Sequence, residues 1–250
     1  MKISIITVVY NNKKTIQDAI DSIVNQTYQN IEHIIIDGAS TDGTIEIIQN
    51  YGDKITKFIS EPDKGIYDAM NKGIALATGD VVGILNSDDF YIDDHVIEKV
   101  VNIFQEQEVD SLFADLIFVK PHNLDKTIRY YDSSKFNPSK FAYGWMPAHP
   151  TFFVKRNIYK KHGVFKTDYK IAADYELLVR FLEKYKISYY YLQLPIIKMR
   201  IGGVSTSGIK SNYILNKEII RACKENDIYT NWFKVLSKYP SKIMGLFVKQ

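Results

Sequence analysis

The 250-residue sequence contains a single cysteine, Cys223. No intrachain disulfide and no cysteine-rich metal centre can form from it, and a reducing cytoplasm is the expected setting. As a small apolar residue in a helical pattern, Cys223 is expected to be packed rather than reactive. No apolar run reaches the length of a membrane span, and Met1 to Val9 lacks the length of a signal sequence. The five histidines show no HxH or HExxH spacing, which removes the zinc-hydrolase motifs. The excess of one sign of charge over the other is also small. A formal net charge of +3 is too small to argue for nucleic acid as the partner. With 46% hydrophobic and 24% charged residues, the chain resembles neither a disordered, a collagenous nor a repeat protein.

The length suits one large α/β domain, or one domain with a modest appendage. Residues 209–250 carry eight Lys or Arg against three Asp or Glu, while the rest of the chain is slightly acidic. Trp232, Phe233, Leu236, Ile243, Met244, Leu246 and Phe247 alternate there with Lys234, Lys238, Lys242 and Lys249, and Pro240 is expected to break the helix. Apolar anchors beside cations suit an anionic membrane surface, and packing of helices on their own domain explains the aromatics equally well.

Upstream, short apolar runs alternate with amphipathic stretches, the rhythm of strands joined by crossover helices in a mainly parallel sheet. Strands are expected at Ile3–Val9, His33–Ile36, Ile55–Ile59 and Val81–Leu85, with helices at Thr15–Gln26, Thr44–Tyr51, Ile66–Ala77 and His95–Glu106. Leu112–Val119 and Ile128–Tyr131 alternate like strands of a second, smaller sheet. Tyr175–Tyr185 reads as a helix, Ile187–Leu192 as a strand and Asn212–Lys224 as another helix.

Ligands of open α/β sheets bind beyond the carboxyl ends of the strands. Polar residues follow each of the first four strands: Thr7, Tyr10 and Asn11, then Asp37, then Glu61 and Asp63, then Asp88 and Asp89. Adjacent carboxylates at such a tip suit Mg2+ or Mn2+ beside phosphate oxygens, although an isolated pair reads more readily as a polar turn capping the helix that follows. Asp37 opens a small polar loop and can accept hydrogen bonds from a base or ribose, while Asp42 reads as a cap.

ISIITVVYNN (Ile3–Asn12), IIIDGASTDGT (Ile34–Thr44), SEPDKGIYDAMNKGIALATGD (Ser60–Asp80) and LNSDD (Leu85–Asp89) together resemble the family 2 glycosyltransferases with their nucleotide-binding GT-A fold. A fainter likeness at HPTFF (His149–Phe153) and IAADYELLVRF (Ile171–Phe181) extends it to about residue 181. The resemblance implies a Rossmann-like, mainly parallel central sheet over residues 1–208. Residues 1–110 would hold the nucleotide-sugar and 111–208 the acceptor, with 209–250 a helical, basic appendage. It implies that Thr7 and Tyr10 line the nucleoside pocket, that Asp37 meets the base or ribose, and that Asp68 sits against uracil. Lys72 would reach a phosphate, or pair with Asp68 one helical turn away. Asp89 would hold the metal and Asp88 the donor ribose or sugar, Ser87 standing where the motif usually has its first acid.

On the acceptor side, Asp174 alone reads as a helix cap. The resemblance makes it the base that deprotonates the acceptor hydroxyl in an inverting transfer, with Ala173 replacing the first acid of the usual pair. His149 would stand near the acceptor. Arg200, Gly202, Gly203 and Ser205 would form a basic loop over the pyrophosphate, or a plain hairpin turn. The implied partners are a UDP-sugar donor and a saccharide acceptor, lipid-linked at the cytoplasmic face of a bacterial inner membrane, for polysaccharide assembly. A nucleotidyltransferase is the enzymatic alternative, but VVYNNKKT after the first strand lacks the Gly-rich loop such enzymes carry. A non-catalytic sugar-nucleotide-binding protein is the other, and the presence of both Asp89 and Asp174 disfavours it.

Overall fold

A computed structural model describes residues 1–202 and 208–239. Gly203, Ser205, Pro240 and the aromatic and lysine residues beyond it, from Lys242 to Lys249, lie outside the described residues. Strand β1 (Ile3–Val9) is mainly apolar on both faces and fully buried, as a central parallel strand must be, with Ser4 and Thr7 its polar residues. β2 (Ile31–Asp37), β3 (Lys57–Ser60) and β4 (Val81–Ile84) run parallel to it in the order β3-β2-β1-β4. The crossovers are α1 (Ile16–Val24), α2 (Thr44–Gln49) and α3 (Ile66–Leu76). In α1, Ile16, Ala19, Ile20 and Ile23 recur at helical spacing and all are buried against the sheet. Each such isoleucine contributes about 1.5–3 kcal/mol relative to remaining exposed.

The second half does not form a separate sheet. Among the described residues, β5 (Asp89–Tyr91), β6 (Ser111–Lys120), β7 (Asn123–Tyr131), β8 (Phe153–Lys155) and β9 (Tyr189–Arg200) extend the first, giving nine strands in the order β3-β2-β1-β4-β8-β6-β9-β5, with β7 paired to β6. The link is β8, antiparallel to both β4 and β6 and only three residues long, which is too short to leave a periodic signal. α4 (Val96–Glu106) and α5 (Arg156–His162) complete this half.

α6 (Ala173–Leu178) continues as a π-helical turn over Val179–Lys184 rather than as one regular helix. α7 (Gly208–Glu225) is built into the core instead of standing apart, because Ile219, Ala222 and Cys223 join Tyr175 and Phe141 in one buried cluster. α8 (Trp232–Leu236) follows, capped by the Asn231 side chain on the Lys234 amide.

Candidate active site

Parallel pairing places Val9, Asp37 and Ser60 side by side at the carboxyl ends of β1, β2 and β3. The loops beyond are tied together by short polar bonds. Asn12 donates through Nδ2 to Ser87 Oγ at 2.9 Å, and the Thr15 hydroxyl donates to the Ser87 carbonyl at 2.9 Å. Ser87 therefore fastens the loop after β1 to the acidic turn, a task an acid in its place would perform differently. Asn11, with φ of 48°, donates its amide to Ser40 and accepts the Thr41 amide, closing the loop after β2 onto the same edge.

Asp89 is not the tip of β4. It opens β5, where its backbone is paired with Met199 of β9. The side chain is fully buried, and Asn86 Nδ2 approaches Oδ2 at 3.3 Å. Oδ1 has no hydrogen-bond partner, and neither does the neighbouring Asn86 Oδ1. Burial, reinforced by the Asp88 charge, raises the Asp89 carboxyl well above the ordinary range; Asn86 and Arg200 act weakly in the opposite direction. A buried acceptor this expensive to leave unpaired fits a cation ligand. Among the described residues, no cluster of three or more His, Cys, Asp or Glu surrounds it, so most other ligands would have to come from substrate oxygens or water.

The structure corrects the expectation for Arg200. It is the last residue of β9, 7% exposed, and not a loop cation. Its guanidinium donates to the Asp88 carbonyl at 2.6 Å, pairs with Asp18 of α1 and lies 4.8 Å from the Phe90 ring centroid. Arg200 thus braces the acidic turn from behind. Thr7 is completely buried, and its hydroxyl is shared with His33 Nε2 at 3.1 Å inside the core. Its side chain stands on one face of β1 and exposes no surface.

Of the residues expected around the nucleoside, Tyr10 is 66% exposed at the end of β1. Gly38 lies between it and Asp63: a β-carbon there would come within 2.7 Å of Asp63 Oδ2 and 3.2 Å of the Tyr10 ring. Asp37 is buried and holds Ser40 through its amide at 2.9 Å and its hydroxyl at 2.5 Å, and Ser60 at 2.6 Å, so it shapes this edge from within. Asp68 accepts the Lys64 amide at 3.1 Å. Lys72 lies 3.7 Å from Asp68, but its closer partner is Glu61 at 2.7 Å, and it also donates to the Pro62 carbonyl at 3.1 Å. The Glu61 hydrogen bond raises the Lys72 ammonium, which stays charged.

The acceptor-side candidates come together. His149 Nδ1 stands 3.9 Å from Asp174 Oδ2, and the His149 ring lies edge-on to Phe165. Burial raises the Asp174 carboxyl, with His149 opposing, and burial lowers the His149 imidazole, with Asp174 opposing. Desolvation prevails at both groups, which raises the carboxyl above its ordinary range and makes it a better proton acceptor than an exposed carboxylate. The Tyr67 hydroxyl of α3 donates to the Ile171 carbonyl, joining the Asp68 helix to the segment that precedes Asp174.

Sequence reasoning missed Glu218. From α7 its carboxylate accepts the amides of Lys170, Ile171 and Ala172 at 2.8–2.9 Å, clamping the approach to Asp174. A lone acid on an amphipathic helix gives no signal of that role.

The nine-stranded sheet and the site at its carboxyl edges define a GT-A-type glycosyltransferase fold. The model of the glycosyl transferase family 2 matches residues 4–165, and the chain belongs to that family. An uncharacterised glycosyltransferase of Rickettsia typhi is 32% identical over 87% of this chain and 70% of its own length. A PGL/p-HBAD biosynthesis glycosyltransferase of Mycobacterium tuberculosis is 25% identical over 87% and 82% respectively. Among solved structures, S. aureus TarS in complex with UDP-GlcNAc superposes with a TM-score of 0.71 at 19% identity, covering 92% of this chain and 68% of that one. The mannosyltransferase PcManGT from Pyrobaculum calidifontis, in complex with GDP-Man and Mn2+, gives 0.63 at 15% identity over 99% and 81%.

Proposed function

We propose that this glycosyltransferase moves one sugar from a UDP-sugar to a hydroxyl of a saccharide acceptor, with inversion at the anomeric carbon. The observation that carries the reading is the buried Asp89 Oδ1 without a partner, beside Asp88 at the crevice edge. Asp89 would hold Mn2+ or Mg2+, whose charge favours departure of the diphosphate. Tyr10 offers its exposed ring to the nucleoside, with Asp37 and Asp68 set for the base and ribose. Lys72, already shared between Glu61 and Asp68, is placed to turn towards a phosphate. Asp88 is assigned to the donor ribose or sugar. Asp174 takes the proton of the acceptor hydroxyl as that oxygen attacks, and His149 tunes the carboxylate. The UDP-GlcNAc of TarS supports a UDP donor, while the GDP-Man and Mn2+ of PcManGT support metal dependence and keep GDP-sugars in the test.

We extend the reading to a lipid-linked acceptor at the cytoplasmic face of a bacterial inner membrane, in polysaccharide assembly. Phe233 is 88% exposed and Tyr229 74%, with Lys234 Nζ 4.7 Å from the Tyr229 ring centroid, a combination suited to an anionic interface. Among the described residues, no helix is long and apolar enough to cross a membrane. The deciding experiment is slow hydrolysis of a panel of UDP-, GDP- and dTDP-sugars with Mn2+ by the purified protein. Turnover of a UDP-sugar supports the proposal; a protein that neither hydrolyses any of them nor binds UDP would end it.

A further inference from the structure

Helix α3 makes contacts from two faces. Asp68 and Lys72, one turn apart, meet the loop after β3 through the Lys64 amide, Glu61 and the Pro62 carbonyl. Tyr67 and Asn71, also one turn apart, reach instead into the second half of the chain. Their target is the irregular loop of residues 163–172, which leads from α5 to α6 and Asp174. Such a loop has no ladder of its own, so its backbone polar groups must be met from elsewhere. Asn71 meets Phe165 twice, across 94 residues of chain: Nδ2 donates to the Phe165 carbonyl at 2.8 Å, and Oδ1 accepts the Phe165 amide at 2.9 Å. One side chain that satisfies both backbone groups of a residue fixes its position and its orientation together. Arg180 donates to the adjacent Val164 carbonyl at 2.7 Å, and the Tyr67 hydroxyl donates to the Ile171 carbonyl.

The residue held in this way carries a ring that touches both sides. Phe165 is 3% exposed. Its ring stacks on Tyr67, with centroids 5.7 Å apart and planes at 21°, and stands edge-on to His149 at 6.0 Å and 84°. Both separations fall within the favourable range of aromatic pairs. His149 Nδ1 then lies 3.9 Å from Asp174 Oδ2, so contact runs unbroken from α3 through Phe165 and His149 to the proposed base. The His149 side chain is 10% exposed and that of Asp174 23%, which closes off the imidazole while a hydroxyl can still reach the carboxylate. The other titratable groups near Asp174 are Tyr67, Tyr131 of β7 and Glu218 of α7. Burial raises both phenols, which stay neutral wherever Asp174 titrates, and Glu218 is occupied by three amides.

We infer that Asn71 and Phe165 are positioning residues for the transfer: Asn71 sets Phe165, and the Phe165 ring holds His149 beside Asp174. The helix assigned to the nucleotide through Asp68 and Lys72 thereby also places the base. The inference rests on the proposed function, through the role of Asp174.

Two measurements on the full chain test it: NMR titration of the histidine rings, of which there are five, and hydrolysis with Mn2+ of the UDP-sugar turned over fastest in the donor panel. His149→Gln assigns the resonance. In the wild type, burial is expected to keep the His149 titration below the ordinary value of about 6.5. Asn71→Ala and Phe165→Leu should each admit water to the ring, moving that titration up towards the ordinary value and the acid limb of hydrolysis, set by Asp174, to lower pH. Hydrolysis at neutral pH should fall by about 10²-fold, the scale of a misplaced reacting group, with UDP affinity kept. Because Asn71 acts through Phe165, the double variant should lose little more than the worse single one, and additive losses would overturn that route. Circular dichroism checks folding, and the half-buried Asn71 gives a variant outside the core should Phe165→Leu fail to fold. Folded variants that keep the wild-type His149 titration, or that keep the wild-type rate and acid limb, overturn the positioning role and leave the donor reading standing. Where the wild type binds UDP without measurable hydrolysis, the His149 titration decides alone. A wild type that neither hydrolyses a UDP-sugar nor binds UDP ends the donor reading, and the positioning role with it.

Discussion

The Glu218 carboxylate accepts the backbone amide of Ala172 at 2.9 Å, across 46 residues of chain, and takes those of Ile171 and Lys170 with it. Three donors converge on a side chain only 9% exposed, so the segment before Asp174 is set by α7 and not by its own local sequence. In Glu218→Gln one oxygen remains and an amide group faces the donors it replaces. The variant is expected to lose about 2 kcal/mol of stability, measured by urea unfolding. Its transfer rate is expected to fall while UDP affinity is kept. A variant with wild-type stability and rate would show the clamp to be idle.

Arg200 offers a test between brace and loop. Arg200→Ala is expected to cost about 2 kcal/mol, because it releases the Asp88 carbonyl, the Asp18 carboxylate and the Phe90 ring together. A double-mutant cycle with Asp18→Ala should return a coupling of about 1 kcal/mol. Zero coupling, with the loss confined to UDP affinity, would instead restore a direct role towards the pyrophosphate.

The contrast between Arg200 and Asp89 shows where sequence was sufficient. β1 to β4 and their helices are local, periodic and bounded by polar turns, so the acidic loops carrying Asp37, Asp63 and Asp88 were legible, while the place of Asp89 in β5 was not. The helix bearing Asp174 was legible too, although its π turn at Val179 was not. Arg200 was not legible because β9 runs through Pro195, which ordinarily ends a central strand and is tolerated here at a bulge. The burial of Thr7 against His33 was not legible either, because it depends on the neighbouring strand β2. Glu218 and the union of both halves into one sheet depend on contacts between distant segments, which periodicity cannot report.

Asp89→Asn separates the buried-charge cost from metal binding. Replacing a buried carboxylate that has an unpartnered oxygen with a neutral amide is expected to raise the stability of the ligand-free protein by about 1 kcal/mol. Wild type should gain thermal stability from UDP with Mn2+ beyond that from UDP alone, since a ligand that binds only the folded state stabilises it. The variant should lose that manganese-dependent gain, as measured by the thermal midpoint. An undiminished gain would remove Asp89 from the cation site.

His33 gives a stability test independent of catalysis. Burial pushes its imidazole down to about 3, far below the ordinary value of about 6.5. Unfolding therefore takes up a proton between those values, so the stability is full above pH ~6.5 and falls as pH drops towards ~3. The slope for one proton is about 1.4 kcal/mol per pH unit. His33→Gln should flatten the acid fall by that amount, read from urea midpoints between pH 7 and 4. An unchanged slope would mean that His33 is protonated in the fold.

With Asp174 as the proposed base and His149 beside it, the pair would set the pH dependence of transfer. The carboxylate works as a base only when deprotonated, and burial raises its titration above the ordinary carboxylate value of about 3.9. Transfer should therefore fall as pH drops through that raised value, and kcat/KM is the quantity that reports it in the free enzyme. His149 opposes the rise, so His149→Ala should move the acid limb to higher pH while leaving the plateau at alkaline pH. Asp174→Asn should lower transfer by roughly 10² to 10⁴ across the whole range, with UDP and Mn2+ still bound. If His149→Ala leaves the limb in place while Asp174→Asn abolishes it, the base is Asp174 alone and the 3.9 Å approach is packing; if neither moves it, another group takes the proton.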